Sequence, residues 1–165
     1  TRPIPLIRSA SLFPMIRWLR ENRRPVAQRL AAVDLGFVSE DAPERPIPLL
    51  GAFAFFRLMG REEADIGVRV VGPQSLQDLG TFGSVICGAR SPREALQRAA
   101  IFLPRYSSHE LLSFRRIAGG LLQAGWSIAL DDELTHLTQQ FTAGLVTALC
   151  LATGRPEATP RCIRI

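Results

Sequence analysis

The spacing of apolar residues changes after Tyr106, and this change restricts the chain to a mixed architecture. Before Tyr106 the apolar positions recur at helical spacing. After it come two runs of strand length, His109–Ala118 and Leu121–Leu130, joined by Gly119-Gly120. A Gly-Gly pair between two such runs is typical of a β-hairpin.

Two further patterns follow the hairpin. Asp131 or Asp132 is expected to cap a long final helix, which Gly154 and Pro156 end. The closing Arg161–Ile165 (RCIRI) alternates like a strand. Because strands and helices do not alternate regularly, we predict an α+β fold. N-terminal helices would precede a small antiparallel sheet, made of the hairpin and the C-terminal strand, together with the long final helix.

The part before Tyr106 contains six helical patterns. A polar, Pro-rich loop over residues 39–48 separates the second from the third. The sixth opens with Ser91-Pro92-Arg93-Glu94, a capping box with Pro at the first helical position. The patterns span Ser9–Asn22, Pro25–Gly36, a stretch that begins at Pro48, Glu62–Val71, Thr81–Cys87, and Ser91 to about Leu103.

Length and charge limit the functional classes. A chain of 165 residues favours one domain, residues 1–165, with a core that needs no disulfide. All 20 basic residues are Arg, and the net charge of +5 divides into +6 over residues 1–30 and −1 over the rest. Arg17, Arg20 and Arg24 could share a helical face. We interpret that face as solvated, because it lacks the aromatic interleaving of a single-strand binder.

The residues do not form a recognisable catalytic or metal site. Without Lys, neither a phosphate-binding P-loop nor a Schiff base is available. His109 and His136 lack the convergent partners of a zinc site. Cys87, Cys150 and Cys162 lie in apolar runs and are expected to be buried thiols. We therefore expect no enzyme, no metal and no cofactor. The absence of a long apolar segment and of a cysteine framework suggests a cytoplasmic protein.

The aromatic residues suggest a pocket between the helices and the sheet. A mostly apolar cavity with a few polar groups is the usual site for a small ligand. The alternative is that these aromatic side chains simply fill the core. The candidate ligand-binding residues are Phe56, Phe82, Arg105, Tyr106, His109, Trp126, His136 and Gln140.

Three stretches of the chain carry a resemblance to a known family. They are LFPMIRWLRENRRPVAQRLAAVDLG, IPLLGAFAFFRLMGREEADIGVRV and LQDLGTFGSVICGARSPREALQRAAIFLPRYS. Their order resembles the N-terminal regulatory domain of one branch of AraC-type bacterial transcription regulators. That branch is similar to the ornithine-utilisation regulators and is often labelled arabinose-binding. The most specific part of the resemblance runs from Leu79-Gly80 to Tyr106.

The resemblance implies a sensor domain that binds a small-molecule effector, forms a homodimer, or does both. It implies that DNA is contacted only through a helix-turn-helix domain after residue 165, absent from this chain. A start at Thr1 rather than Met, and an end in a strand-like pattern, agree with a piece of a longer polypeptide. The alternative is a structural module for dimerisation or protein interaction that binds no small molecule.

Overall fold

The computed structural model describes residues 3–128, 136–153 and 159–164, and has the predicted α+β arrangement. The strands form two antiparallel pairs, β1 with β2 and β3 with β4. The strands are β1 (Leu6–Arg8), β2 (Pro46–Pro48), β3 (Glu110–Arg116) and β4 (Leu122–Ile128). The helices are α1 (Phe13–Glu21), α2 (Val26–Ala31), α3 (Leu49–Glu62), α4 (Ile66–Arg69), α5 (Gly80–Cys87), α6 (Pro92–Tyr106) and α7 (His136–Leu151).

The pairing of β1 with β2 was not predicted. Its central pair, Ile7 and Ile47, is buried, and the Ser108 amide donates to the Leu6 carbonyl at 2.9 Å. The N-terminal segment is therefore tied to the chain just after α6. Strands of three residues are too short to show a periodic signal, and Pro46 and Pro48 made this stretch resemble a loop.

Several helix boundaries differ from the prediction. A 3-10 turn at Ser9–Leu12 precedes α1, and Pro14 lies in the first helical turn, where its missing N–H does no harm. Helix α2 ends at Ala31, well before Gly36, because the chain turns at Asp34, whose φ is 58°. The single helix predicted over Glu62–Val71 is instead the end of α3 and the short α4.

Helix α6 begins as predicted and ends later. The Ser91 hydroxyl accepts a hydrogen bond from the Glu94 amide at 3.2 Å, so the predicted cap is confirmed. The Glu94 carboxylate accepts from the Arg90 amide at 2.9 Å, one residue earlier than in a standard capping box. The helix passes through Pro104 and reaches Tyr106.

The predicted hairpin is confirmed. Strands β3 and β4 pair from Glu110–Ile128 to Arg116–Leu122. Gly119 and Gly120 have φ values of 75° and 72°, a conformation that favours glycine. The Ile117 amide donates to the Leu121 carbonyl at 2.9 Å and closes the turn.

The predicted C-terminal strand is wrong over the described residues. Residues 161–164 have no strand pairing, and Ile165 lies outside the described residues. Ile163 is 49% exposed, so the apolar residues of this alternating pattern do not pack against the core there. The predicted helix cap at Asp131 or Asp132 also lies outside the described residues.

The Arg-rich N-terminal part is paired with acids of the same chain. Arg17 forms an ion pair with Asp78, Arg20 with Glu40, and Arg24 with both Glu62 and Glu63. The expectation of a solvated face is confirmed at Arg20, whose side chain is 58% exposed, whereas the Arg17 and Arg24 side chains are 26% and 32% exposed. The ion pairs themselves were not predicted. The sequence pattern could not show this, because the acids follow 20 to 61 positions later in the chain and are brought near only by the fold.

The cysteines also differ from the prediction. Cys150 is buried, whereas Cys87 and Cys162 are exposed free thiols. Cys87 ends the short helix α5, and Cys162 lies in the irregular segment after α7. A position in an apolar run therefore did not predict burial for Cys87 at the end of a helix or for Cys162 in an irregular segment.

Candidate functional site

A largely apolar cavity lies between α3, α5, α6, α7 and the β3–β4 hairpin. Its volume is about 110 Å³. An apolar cavity of roughly 150 Å³ accepts benzene, so this smaller space limits a ligand to an apolar body of about one ring. Side chains with polar atoms are a minority of the wall: Ser11, Tyr106, Glu110, Trp126, Thr138 and Thr142.

Aromatic rings form much of the wall. Phe82 of α5 stacks on Tyr106 of α6, with centroids 4.6 Å apart and planes inclined by 24°. Phe56 of α3 meets Phe141 of α7 at 4.9 Å in a tilted arrangement. These contacts join α5 to α6 and α3 to α7, so the same rings that complete the core also define the cavity.

Glu110 at the start of β3 places a carboxyl group on the apolar wall. It shares the inner face of the strand with Leu112 and Phe114, while Leu111 is exposed. Trp126, opposite Leu112 on β4, donates from its indole Nε1 to Glu110 Oε2 at 3.1 Å. Burial raises the pKa of the Glu110 carboxyl above its ordinary value, and the hydrogen bond from the Trp126 indole opposes that rise.

Two hydroxyl groups on the wall are buried without a hydrogen-bond partner among the described residues. They belong to Tyr106 and Ser11. Tyr106 as a whole is 6% exposed. Burial raises the pKa of its hydroxyl well above the ordinary value, and the negative charges of Glu110 and Glu44 act in the same direction. Tyr106 is therefore a neutral hydroxyl that can donate or accept a hydrogen bond.

The structure brings four of the sequence-predicted ligand residues to the cavity wall. Phe56, Phe82, Tyr106 and Trp126 all line it. They come from α3, α5, α6 and β4, which are far apart in sequence. Whether these residues bind a ligand stays a prediction.

The other predicted residues are placed elsewhere. Arg105 is exposed, with its guanidinium 5.7 Å from the centre of the Phe102 ring. His109 Nδ1 is 2.7 Å from the Ser108 hydroxyl. Gln140 packs near Gly67 of α4 rather than on the cavity wall. His136 begins α7, and its side chain lies outside the described residues.

The sequence reasoning missed Glu110 and Ser11. Glu110 had a detectable signal, since it occupies an inward position of the alternating pattern ELLSFRR, where an apolar residue is usual. Ser11 had none, because it lies in a 3-10 turn.

The polar groups on the cavity wall are the Glu110 carboxyl and a few hydroxyl and indole groups. In the described parts of the chain, no cluster of three or more His, Cys, Asp or Glu could hold a metal ion. The thiol of Cys150 is buried, and burial raises its pKa, so it is a poor nucleophile. Within the same residues, no helix is both long and apolar enough to cross a membrane.

Comparison with known proteins gives no family assignment. The chain matches no protein-family model, and no curated protein matches it either. The resemblance to the regulatory domain of AraC-type regulators therefore rests on the residues quoted above.

Proposed function

We propose that this chain is an effector-sensing domain, a dimerisation domain, or both, of an AraC-type transcription regulator. In this proposal a helix-turn-helix domain that follows residue 165 contacts DNA, and a ligand in the cavity alters that contact. The observation that carries the proposal is an apolar cavity whose wall holds Glu110 and the unpartnered hydroxyls of Tyr106 and Ser11.

Unsatisfied buried polar groups support a binding role. A buried hydroxyl without a partner costs about 1–3 kcal/mol. Native proteins tolerate few such groups, and each one calls for an explanation. Two of them, on the wall of a cavity that also holds a carboxyl group, are explained if a ligand supplies the missing hydrogen bonds.

The position of the cavity supports coupling to other parts of a regulator. Its wall includes α7, the last long helix of the described chain, as well as the N-terminal turn that carries Ser11. A ligand that contacts both would stabilise the packing of α7 against the helices. A change in that packing is a physical route from the cavity to whatever follows the domain.

A thermal-shift screen of this chain tests the effector role. The library contains amino acids, sugars, aromatic acids, amines and cyclic nucleotides. A ligand at 100 times its Kd stabilises the folded state by about 2.7 kcal/mol, which is a clear shift in Tm. The matched control is Val146→Phe, which enlarges a side chain on the cavity wall. A hit that shifts the variant equally does not bind in the cavity, and a library without hits contradicts the effector role.

The regulator role is tested with the natural protein that contains this domain. Binding to its promoter DNA is measured with and without a hit from the screen. An effector domain changes DNA affinity, whereas a simple ligand-binding domain leaves it unchanged.

The second function that we retain is a dimerisation or docking module without a ligand. It is favoured by exposed apolar side chains, because Ile101 on α6 is 78% exposed and Leu111 on β3 is 57% exposed. Sedimentation of this chain, and of Ile101→Ser and Leu111→Ser variants, tests it. A wild-type monomer at all concentrations would exclude self-association through these side chains.

A further inference from the structure

We infer that the cavity binds a small molecule with one ring-sized apolar body and one positively charged amine, with the amine at Glu110. This inference rests on the proposed effector role and specifies the chemistry of the effector.

The carboxyl group is the first reason. Glu110 is the acid on the cavity wall, and no Arg lies among the described residues that line it. The Trp126 indole supplies one neutral donor. A carboxylate has about four acceptor positions, so most of its capacity remains for a ligand. A buried carboxylate is costly unless a cation or several donors face it.

The neighbouring hydroxyl is the second reason. The Tyr106 hydroxyl has no partner in the described residues, although the side chain is buried on the same wall. A protonated primary amine has three N–H donors. One can be directed to Glu110 and another to a hydroxyl oxygen. An amine therefore satisfies groups that the protein leaves unpaired.

The aromatic rings are the third reason. The faces of aromatic rings carry negative electrostatic potential and attract cations. The stacked pair Phe82–Tyr106 and the Trp126 indole lie on the wall with Glu110. The same rings exclude water and accept an apolar body. An anionic ligand would meet repulsion from Glu110, and a neutral one would leave the carboxylate uncompensated.

Three probes of nearly equal size test the inference on this 165-residue chain. They are benzylamine, benzyl alcohol and benzoate, and their Kd values are measured by titration with NMR detection at neutral pH. We expect benzylamine to bind about tenfold or more tightly than benzyl alcohol, because hydrogen bonds to charged groups exceed neutral ones. Benzoate is expected to bind most weakly.

Two variants identify the group that binds the amine and the place where the probes bind, and a third serves as the control. Glu110→Gln keeps the shape and should weaken benzylamine by about tenfold or more while benzyl alcohol changes little. Glu21→Gln makes the same chemical change on an exposed acid of α1 and should leave all three Kd values unchanged. Val146→Phe should weaken benzylamine and benzyl alcohol alike, because it narrows the cavity.

The results separate this inference from the proposed function. If benzyl alcohol or benzoate binds as tightly as benzylamine, or if Glu110→Gln leaves benzylamine unchanged, the amine assignment is overturned while the cavity remains a binding site. If none of the three probes binds and the wider library also gives no hit, both the amine assignment and the effector role fail.

Discussion

Gly83 of α5 lies directly against the main chain of Leu76. A Cβ atom at Gly83 would stand 2.8 Å from the Leu76 carbonyl carbon, and closer still to its oxygen. Leu76 and Leu79 lie in the connection before α5, and both line the cavity. The absence of a side chain at Gly83 therefore allows α5 to hold this part of the wall in place.

Gly83→Ala is expected to reverse the usual effect of this substitution in a helix. Ala normally favours a helix over Gly by about 1 kcal/mol. Here the methyl group would overlap main-chain atoms, and we expect the free energy of unfolding to fall by about 1–3 kcal/mol. Urea denaturation measures it. Gly72→Ala is the control, because nothing lies within 4 Å of the added atom. Equal stability of both variants would contradict the close packing.

Tyr106→Phe is expected to stabilise the ligand-free chain. The substitution keeps the ring stacked on Phe82 and removes a buried hydroxyl without a partner among the described residues. Removing such a group should raise the free energy of unfolding by about 1 kcal/mol. The same variant should bind benzylamine more weakly. Thermal and urea unfolding measure stability, and a loss of stability would show that the hydroxyl has a partner in the native state.

Arg17→Gln is expected to cost more stability than Arg20→Gln. The Arg17 and Asp78 side chains are 26% and 19% exposed, whereas Arg20 and Glu40 are 58% and 37% exposed. Exposed ion pairs contribute about 0–1 kcal/mol. Loss of Arg17 leaves a largely buried carboxylate, so we expect about 1–2 kcal/mol there. Unfolding by urea compares the two variants.

The same ion pairs predict weak DNA binding by this chain alone. Because Arg17, Arg20 and Arg24 face acids of the chain, few of these charges are available to phosphates. Fluorescence anisotropy with a DNA duplex measures the affinity. We expect it to be weak and to be the same when these three Arg residues are replaced by Gln. A marked loss of DNA affinity in the triple Gln variant would contradict this expectation.

The elements that the sequence predicts well are those whose signals are local. Glycine tolerates the positive φ values that the turn at Gly119-Gly120 needs. Ser91 caps α6 with its own hydroxyl. The β1–β2 pair depends instead on contact between Ile7 and Ile47, 40 residues apart. Each partner is too short to show a pattern, so the pairing exists only in the folded chain.

The residues of the candidate site also differ in how well the sequence predicts their positions. Aromatic side chains are large and apolar, so placing Phe82, Tyr106 and Trp126 in the interior was enough to put them on the cavity wall. Whether a polar side chain reaches the cavity depends on the direction in which it points. Arg105 precedes Tyr106 by one helical position, a rotation of about 100°, and this turns it to solvent. Glu110 was overlooked although its inward strand position was readable.

The pH dependence of stability should identify Glu110 as a buried acid. Its pKa is raised, so the folded state holds a proton that the unfolded state has lost. Its contribution is complete below the ordinary glutamate pKa of about 4.3 and is lost as pH rises through the raised value. Glu62 has a lowered pKa, mainly because of its hydrogen bond to Arg29, and acts in the opposite direction.

The difference between wild type and Glu110→Gln isolates this contribution, because Glu62 and the other acids are common to both. We expect the free energy of unfolding of wild type, relative to the variant, to fall as the pH rises above the ordinary pKa of a glutamate side chain. The slope cannot exceed about 1.4 kcal/mol per pH unit, since one proton is involved. Urea denaturation across the acid and neutral range measures it. A difference that is constant with pH would mean that the Glu110 carboxyl is well solvated, which would also remove the physical reason for a cation at that place.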